Sequence, residues 1–306
     1  MSRLMGLYAQ HLGVERACGS GDEAAYRAAI DRARELVKDA DAIVAGVGSG
    51  MSSACGYEHY HRTAAFDGAF GRFERAHGFS TFMDGCYHLY ATNEERWGFL
   101  AAYIDYMESA PVGEPYRRLW KLIADRPYFV LTTNIDGQVR RAFPRRRSWL
   151  FQGDCRWLQC AQPCCDELWD SGPAVRRMLD AMGPDGVRPP ADALPRCPRC
   201  GWLAAPWVRD EGFLEGEAWH EGKRRYEAFV SHVLDTCERV LFLELGVGGM
   251  TPSVIEMPFW RMVRSNPNAF YLRINLSKTG EPLQLGDRSL TIRGDIARVL
   301  FDLTES

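Results

Sequence analysis

The chain has 306 residues, 46% of them hydrophobic, enough apolar material for a full core in one large or two modest domains. A formal net charge of −3 and a pI near 6.2 give no electrostatic footprint for nucleic acid. No stretch reaches the ~18 apolar residues of a membrane span or supplies a signal-peptide core near residue 1, so no membrane contact and a cytoplasmic location are expected. In that setting ten cysteines with paired close spacings predict metal rather than disulfides.

Residues 21–40 read as a helix, with Ala25, Ala29, Ile30, Ala33 and Val37 at helical spacing. Residues 42–45 form a short apolar run that stops at Gly46, the pattern of a buried parallel strand. Residues 57–127 are aromatic-rich and helical in period, most clearly over 94–107 and 115–126. A second buried strand spans 128–133. Residues 153–235 break into short pieces rich in cysteine, proline and tryptophan, with helical spacing returning at 218–234. Strands follow at 240–245, 270–275 and 290–292, then a helix at 295–303. Strands alternating with helices predict an α/β fold with a Rossmann-like parallel sheet, a helical insertion and a small inserted cysteine-rich module.

Three features could carry chemistry. The loop Gly46-Val47-Gly48-Ser49-Gly50-Met51-Ser52 follows a strand, and its small residues let backbone amides approach a phosphate. It matches neither the dinucleotide nor the phosphate-loop fingerprint, and a plain tight turn is the bland reading. Asn134 and Asp136 end the second strand, at the sheet edge where open α/β folds place ligands; the bland reading makes them helix caps. Cys160, Cys164, Cys197 and Cys200 supply two thiolate pairs for a closed, structural zinc site, with Cys165 an alternative to Cys164. Cys18, Cys55, Cys86, Cys155 and Cys237 read as packing thiols, and His220 and His232 as surface residues. The basic run Arg140, Arg141, Arg145, Arg146 and Arg147 reads as a solvated loop.

The order of these features resembles that of the sirtuins. Gly48-Ser49-Gly50-Met51-Ser52 with Gly56 is similar to their GAGxS loop, Thr133-Asn134-Ile135-Asp136 to their TxNxD strand end, and Gly246-Val247-Gly248 to a later glycine turn. The resemblance runs over roughly residues 30–300. Two departures stand out. Tyr57-Glu58-His59-Tyr60 replaces the usual Ile-Pro-Asp-Phe-Arg, and Gln152 replaces the catalytic histidine. The segments FQGDCRWLQCAQPCC and LELGVGGMTP look like those of the class M sirtuins.

That resemblance implies an NAD-dependent protein mono-ADP-ribosyltransferase. Its implied acceptor is a lipoylated glycine-cleavage-H-like carrier, and its implied partner a macrodomain hydrolase that reverses the mark in oxidative-stress responses. It implies an NAD-binding domain over 21–152 and 236–303, with 57–127 the helical insertion and 153–235 the zinc module. Asn134, Asp136 and Gln152 would be catalytic. Gly48, Ser49, Gly50, Met51 and Ser52 would hold the pyrophosphate, and Gly246, Val247, Gly248, Asn275, Leu276, Asp295 and Ile296 the adenosine end. A glutamine amide cannot take a proton at neutral pH, which favours a reaction that ends at ADP-ribose transfer. The alternatives are a deacylase using His59 or His61, a silent NAD or ADP-ribose sensor, and an NAD glycohydrolase.

Overall fold

The computed structural model describes residues 23–249, 252–277 and 285–305; Cys18 and the first two residues of the expected opening helix lie outside them. Six strands form one sheet: β1 (Ala42–Val47), β2 (Tyr128–Thr132), β3 (Ser148–Leu150), β7 (Val240–Leu245), β8 (Ala269–Asn275) and β9 (Ser289–Arg293). Their order is β3-β2-β1-β7-β8-β9 and every pair is parallel. The expected α/β architecture is therefore present, with β3 an additional edge strand that is too short to announce itself in the sequence.

Side-chain alternation along the strands sorts the core into two layers. Ile43, Ala45, Val47, Val130, Leu243 and Ile274 face the helices Glu23–Asp39, Glu114–Ile123 and Ile296–Thr304. Ala42, Val44, Phe129, Leu131, Phe242 and Tyr271 face the helices Glu217–Thr236 and Glu256–Ser265. With both faces covered, the strands read as unbroken apolar runs, which is why they were visible in the sequence.

A second, antiparallel sheet has the order β5-β4-β6, from β4 (Gly153–Cys160), β5 (Trp169–Asp170) and β6 (Ala204–Val208). β5 has only two residues and the β4–β6 register shifts between Asp154 and Leu158, and composition alone did not reveal these strands. The helices Ala64–His77, Phe82–Tyr87 and Asn93–Ser109 pack on this sheet and on the helix Gly172–Asp180. Phe66, Phe70, Phe73, Phe82, Phe99 and Tyr103 share one core with Cys155, Leu158, Val175 and Met178. The helical insertion and the cysteine-rich module are thus fastened to each other. Thr63, Thr81 and Thr92 cap these helices, each accepting from the amide three residues on (3.0–3.2 Å). Among the described residues no helix is long and apolar enough to cross a membrane.

Candidate active site

β1 and β7 lie side by side, and the chain leaves them toward opposite edges of the sheet. That divergence opens a crevice at their carboxyl ends. The loops meet there almost backbone to backbone. The Gly48 amide donates to the Leu245 carbonyl and the Gly50 amide to the Gly246 carbonyl, both at 2.9 Å. A Cβ on Gly48 would sit 2.7 Å from the Gly246 carbonyl oxygen, and one on Gly246, at φ +63°, 2.6 Å from the Gly50 Cα. Bulk is excluded by contact as well as by conformation. Met51 and Ser52 are buried in the short helix Ser49–Ala54. The Tyr60 side chain reaches Ser49 over this loop.

β2 feeds the second half of the site. The buried Thr132 hydroxyl donates to the Val47 carbonyl (3.0 Å) and accepts the Asn134 amide (2.9 Å), which folds the strand end back over β1. Asn134 Nδ2 then faces three oxygens: the Gly48 carbonyl at 2.8 Å, Ser52 Oγ at 3.0 Å and Tyr116 Oη at 3.2 Å. All three can accept, so the nitrogen points inward. Oδ1 is left without a partner among the described residues. Asp136 is 3% exposed; its Oδ2 accepts the Ser52 hydroxyl and its Oδ1 the Gln138 amide (3.0 Å). Asn134 and Asp136 therefore share one buried network through Ser52. The capping reading holds only for that Gln138 contact, and both side chains also do something more. Tyr116 is a member of the network that sequence reasoning missed. Burial, reinforced by the charge of Asp136, pushes its phenol well above the ordinary range, so it stays protonated.

Gln152 sits where β3 passes into β4. The Phe151 amide donates to the Thr132 carbonyl (3.0 Å), and the Gln152 carbonyl accepts the Arg209 amide (3.0 Å). Trp219 Nε1 donates to the Phe151 carbonyl (2.9 Å), and the Arg209 guanidinium stacks on Phe151 and Phe213. Gly153 follows at φ +81°, where a Cβ would lie 2.0 Å from the Trp207 carbonyl oxygen. The Gln152 backbone is thus gripped on both sides while its side-chain amide has no hydrogen bond among the described residues. Cys155 N donates to the Ile135 carbonyl (3.2 Å), tying β4 to the Asn134–Asp136 segment.

Asp154 was also missed. It is 1% exposed, accepts from Arg140 Nε (3.0 Å) and the Arg156 amide (2.7 Å), and burial raises its carboxyl to about 6 against a lowering by Arg140. Arg140 also pairs with Glu108, and Arg141 with the Met107 and Glu108 carbonyls. These two arginines are therefore not a solvated loop. They clamp the helix Asn93–Ser109 to the active-site segment; Arg145 and Arg146 alone of the run stay exposed.

At the other end of the crevice, Asn275 Nδ2 donates to the Val247 carbonyl (3.0 Å), and Ile296 packs beneath Gly246. Gly248 is half-buried and Leu276 is 55% exposed. The Asp295 carboxylate caps the helix Ile296–Thr304 by accepting the Arg298 amide (3.0 Å). Of the two nearby histidines, His61 is exposed and His59 is buried.

The Sγ atoms of Cys160, Cys164, Cys197 and Cys200 lie within 4.8 Å of one another, with Cys160–Cys200 at 3.7 Å and Cys164–Cys197 at 3.6 Å. A tetrahedron with Zn–S bonds of ~2.3 Å has edges of about 3.8 Å, so four thiolates here fit structural zinc and leave no open position. Cys164, rather than Cys165, completes the set. The Cys200 and Arg199 amides lower the Cys197 thiol to about 6, which favours the ligating thiolate.

No family model matches the chain. It is 30% identical over 275 residues to a "Protein ADP-ribosyltransferase" of Staphylococcus aureus (strain Mu50 / ATCC 700699), covering 87% of this chain and 84% of that one. It is 27% identical over 292 residues to a "Probable bifunctional ADP-ribose hydrolase/ADP-ribosyltransferase" of Fusarium oxysporum f. sp. cubense; 90% of this chain matches 48% of that one, about half its length. Among solved structures, a mutant Sir2 homologue in complex with ADP-ribose superposes with a TM-score of 0.58 at 18% identity, over 90% of this chain and 94% of that one. A complex titled "Sir2-p53 peptide-NAD+" gives 0.57 at 19% identity, over 89% and 95%. At such identities the structural likeness speaks for the fold.

Proposed function

The chain belongs to the sirtuin family, and we propose that it is an NAD-dependent protein mono-ADP-ribosyltransferase whose acceptor is a lipoylated, glycine-cleavage-H-like carrier protein. The observation that carries this reading is the unengaged amide of Gln152, on a backbone held between the end of β2 and β6, with no proton acceptor in its place. A sugar hydroxyl can be gripped by that amide but not deprotonated by it.

The proposed roles combine this geometry with the resemblance. The Gly48–Ser52 loop receives the pyrophosphate at a crevice where bulk is excluded, through the loop amides left over once those of Gly48, Gly50 and Met51 are bonded within the protein. Asn134 presents Oδ1 to the nicotinamide-side ribose because its nitrogen is spent inward. Asp136 orients the nicotinamide carboxamide. Gln152 holds ribose hydroxyls, and Gly246, Val247, Gly248, Asn275, Leu276 and Ile296 line the adenosine end. Asp295 supports that end indirectly, through the helix it caps. The bond between nicotinamide and ribose breaks with its electron pair leaving on nicotinamide, and a nucleophile of the carrier forms the new bond to the ribose carbon. Zinc would hold the module that begins directly after Gln152. The fungal relative's printed name joins transfer with hydrolysis, which supports a macrodomain hydrolase as the functional partner here.

The test is NAD labelled in its adenylate half, incubated with the carrier with and without lipoate. Label on the lipoylated carrier alone, lost in Asn134→Ala, is expected. Free nicotinamide and ADP-ribose without protein label would establish a glycohydrolase instead, and binding without turnover a sensor.

A further inference from the structure

A cavity of about 380 Å³ opens at the amino end of β2, lined by Phe129, Arg146, Arg147, Arg225, Ala228 and Phe229. Phe129 lies three residues before Thr132, which puts the cavity about 10 Å along the strand from its carboxyl end. The turn Arg145–Arg147, just before β3, and the helix Glu217–Thr236 form its walls. The floor is apolar: the rings of Phe129 and Phe229 stand 5.7 Å apart between centroids, their planes tilted by 38°.

The rim is cationic, although the chain as a whole carries −3. Arg147 is fixed in place. Its Nη1 donates to the Tyr128 carbonyl (3.3 Å), and its guanidinium lies 5.6 Å from the Tyr128 ring and 5.8 Å from that of Phe229. Arg225 Nη1 pairs with Glu221 Oε1 and Arg145 Nη2 with Glu221 Oε2, both at 2.6 Å. Arg225 Nε is shut off from water and has no hydrogen-bond partner. Arg146 and Arg147 pair with no carboxylate among the described residues, so four guanidiniums share the charge of Glu221. Like charges held together repel, and a buried donor left unmatched costs stability; an anion in the cavity relieves both.

The walls select the kind of anion. A phosphomonoester carries about two negative charges at neutral pH and three acceptor oxygens, where a carboxylate brings one charge and two oxygens. Guanidinium forks match such oxygens in pairs. The phenylalanine rings beneath favour a flat ring, packed offset or edge-on, over a saturated chain. We propose that this cavity is a second binding site, which takes a small phosphomonoester carried on an aromatic ring. The phosphate faces Arg146, Arg147 and Arg225, and the ring lies against Phe129 and Phe229. The site shares no residue with the crevice between β1 and β7, so it stands or falls apart from the transferase reading.

The experiment titrates phenyl phosphate onto the full-length zinc-bound protein by calorimetry, with inorganic phosphate and phenol as the two halves of the ligand. Phenyl phosphate should bind about tenfold tighter than inorganic phosphate, the gain from burying the ring, and phenol should give no measurable binding. Arg146 is exposed and unpaired, so Arg146→Gln leaves the fold intact; it should weaken phenyl phosphate about tenfold, the weight of one charge-assisted hydrogen bond. Glu221→Gln releases Arg145 and Arg225 from their shared carboxylate and should tighten binding about threefold, a gain that misfolding cannot mimic. Equal affinity for phenyl phosphate and inorganic phosphate would reduce the cavity to a plain cationic surface and overturn the proposal. Unchanged affinity in Arg146→Gln, or no gain in Glu221→Gln, would overturn it as well.

Discussion

Asparagine in place of Asp136 tests the buried network at its charged member. The carboxylate accepts on both oxygens, from the Ser52 hydroxyl and the Gln138 amide. An amide has the same shape but turns one acceptor into a donor. If the new NH2 faced Gln138, two donors would oppose each other and strand a buried backbone amide. Facing Ser52 is cheaper. The hydroxyl already accepts from Asn134, so it would accept a second bond and send its own proton to Tyr116, 3.4 Å away. The net change is a charge-assisted hydrogen bond replaced by a neutral one, a loss of about 1–2 kcal/mol. On the proposed role of Asp136, the lost charge would also be felt by bound nicotinamide. Asp136→Asn should therefore unfold at lower urea by that amount, and kcat/KM for protein labelling should fall roughly 30-fold, or about 2 kcal/mol. Urea melts and initial labelling rates read the two effects separately. Unchanged stability would refute the network, and lowered stability with full activity would reduce Asp136 to a brace.

Three further outcomes follow from the same structure. Gly153→Ala forces a Cβ onto the Trp207 carbonyl at a positive φ, so it should cost about 1–3 kcal/mol and depress labelling more than NAD binding; a variant with wild-type labelling would contradict the placement of Gln152. Cys197→Ser, or zinc removal by a chelator, should unfold the cysteine-rich module and its shared helical core, since structural zinc contributes on the order of 10 kcal/mol to folding; a zinc-free sample with a normal melt would count against it. Asp154 titrates at about 6 when folded against 3.8 when free, so between those values the unfolded chain has released a proton that the folded chain keeps. Its contribution to stability then falls as pH rises through that window and is level above it, by about 3 kcal/mol in total. Asp154→Asn should flatten this part of the stability–pH curve, and equal slopes in the two proteins would refute the assignment.

The large sheet was legible because its strands are covered on both faces and carry continuous apolar runs that stop at Gly46, Thr132 and Gly246. The zinc site was legible because ligand spacing is local, although choosing Cys164 over Cys165 required the fold. β3 and β5 were not legible, being three and two residues long, nor were β4 and β6, whose pairing is broken by a register shift. Tyr116 lies on the helix Glu114–Ile123 among other buried apolar positions, and in the sequence it is one more core aromatic. Only tertiary contact, across 64 residues to Ser52 and 18 to Asn134, shows its hydroxyl at work. The burial of His59 and Asp154 was hidden for the same reason: burial of a polar group is decided by elements distant in the chain. The capping bond of Asp295 was likewise not read from the sequence, where the residue stood only as an expected lining of the adenosine end.

The partition of products between two acceptors bears most directly on the glutamine at position 152. The purified zinc-bound protein would be given labelled NAD with the lipoylated carrier and an acyl-lysine peptide in the same tube, and each product quantified by mass spectrometry. ADP-ribose on the carrier, with the peptide still acylated, is the predicted result. Deacylated peptide with acyl-ADP-ribose as co-product, at a rate matching or exceeding carrier labelling, would contradict the account.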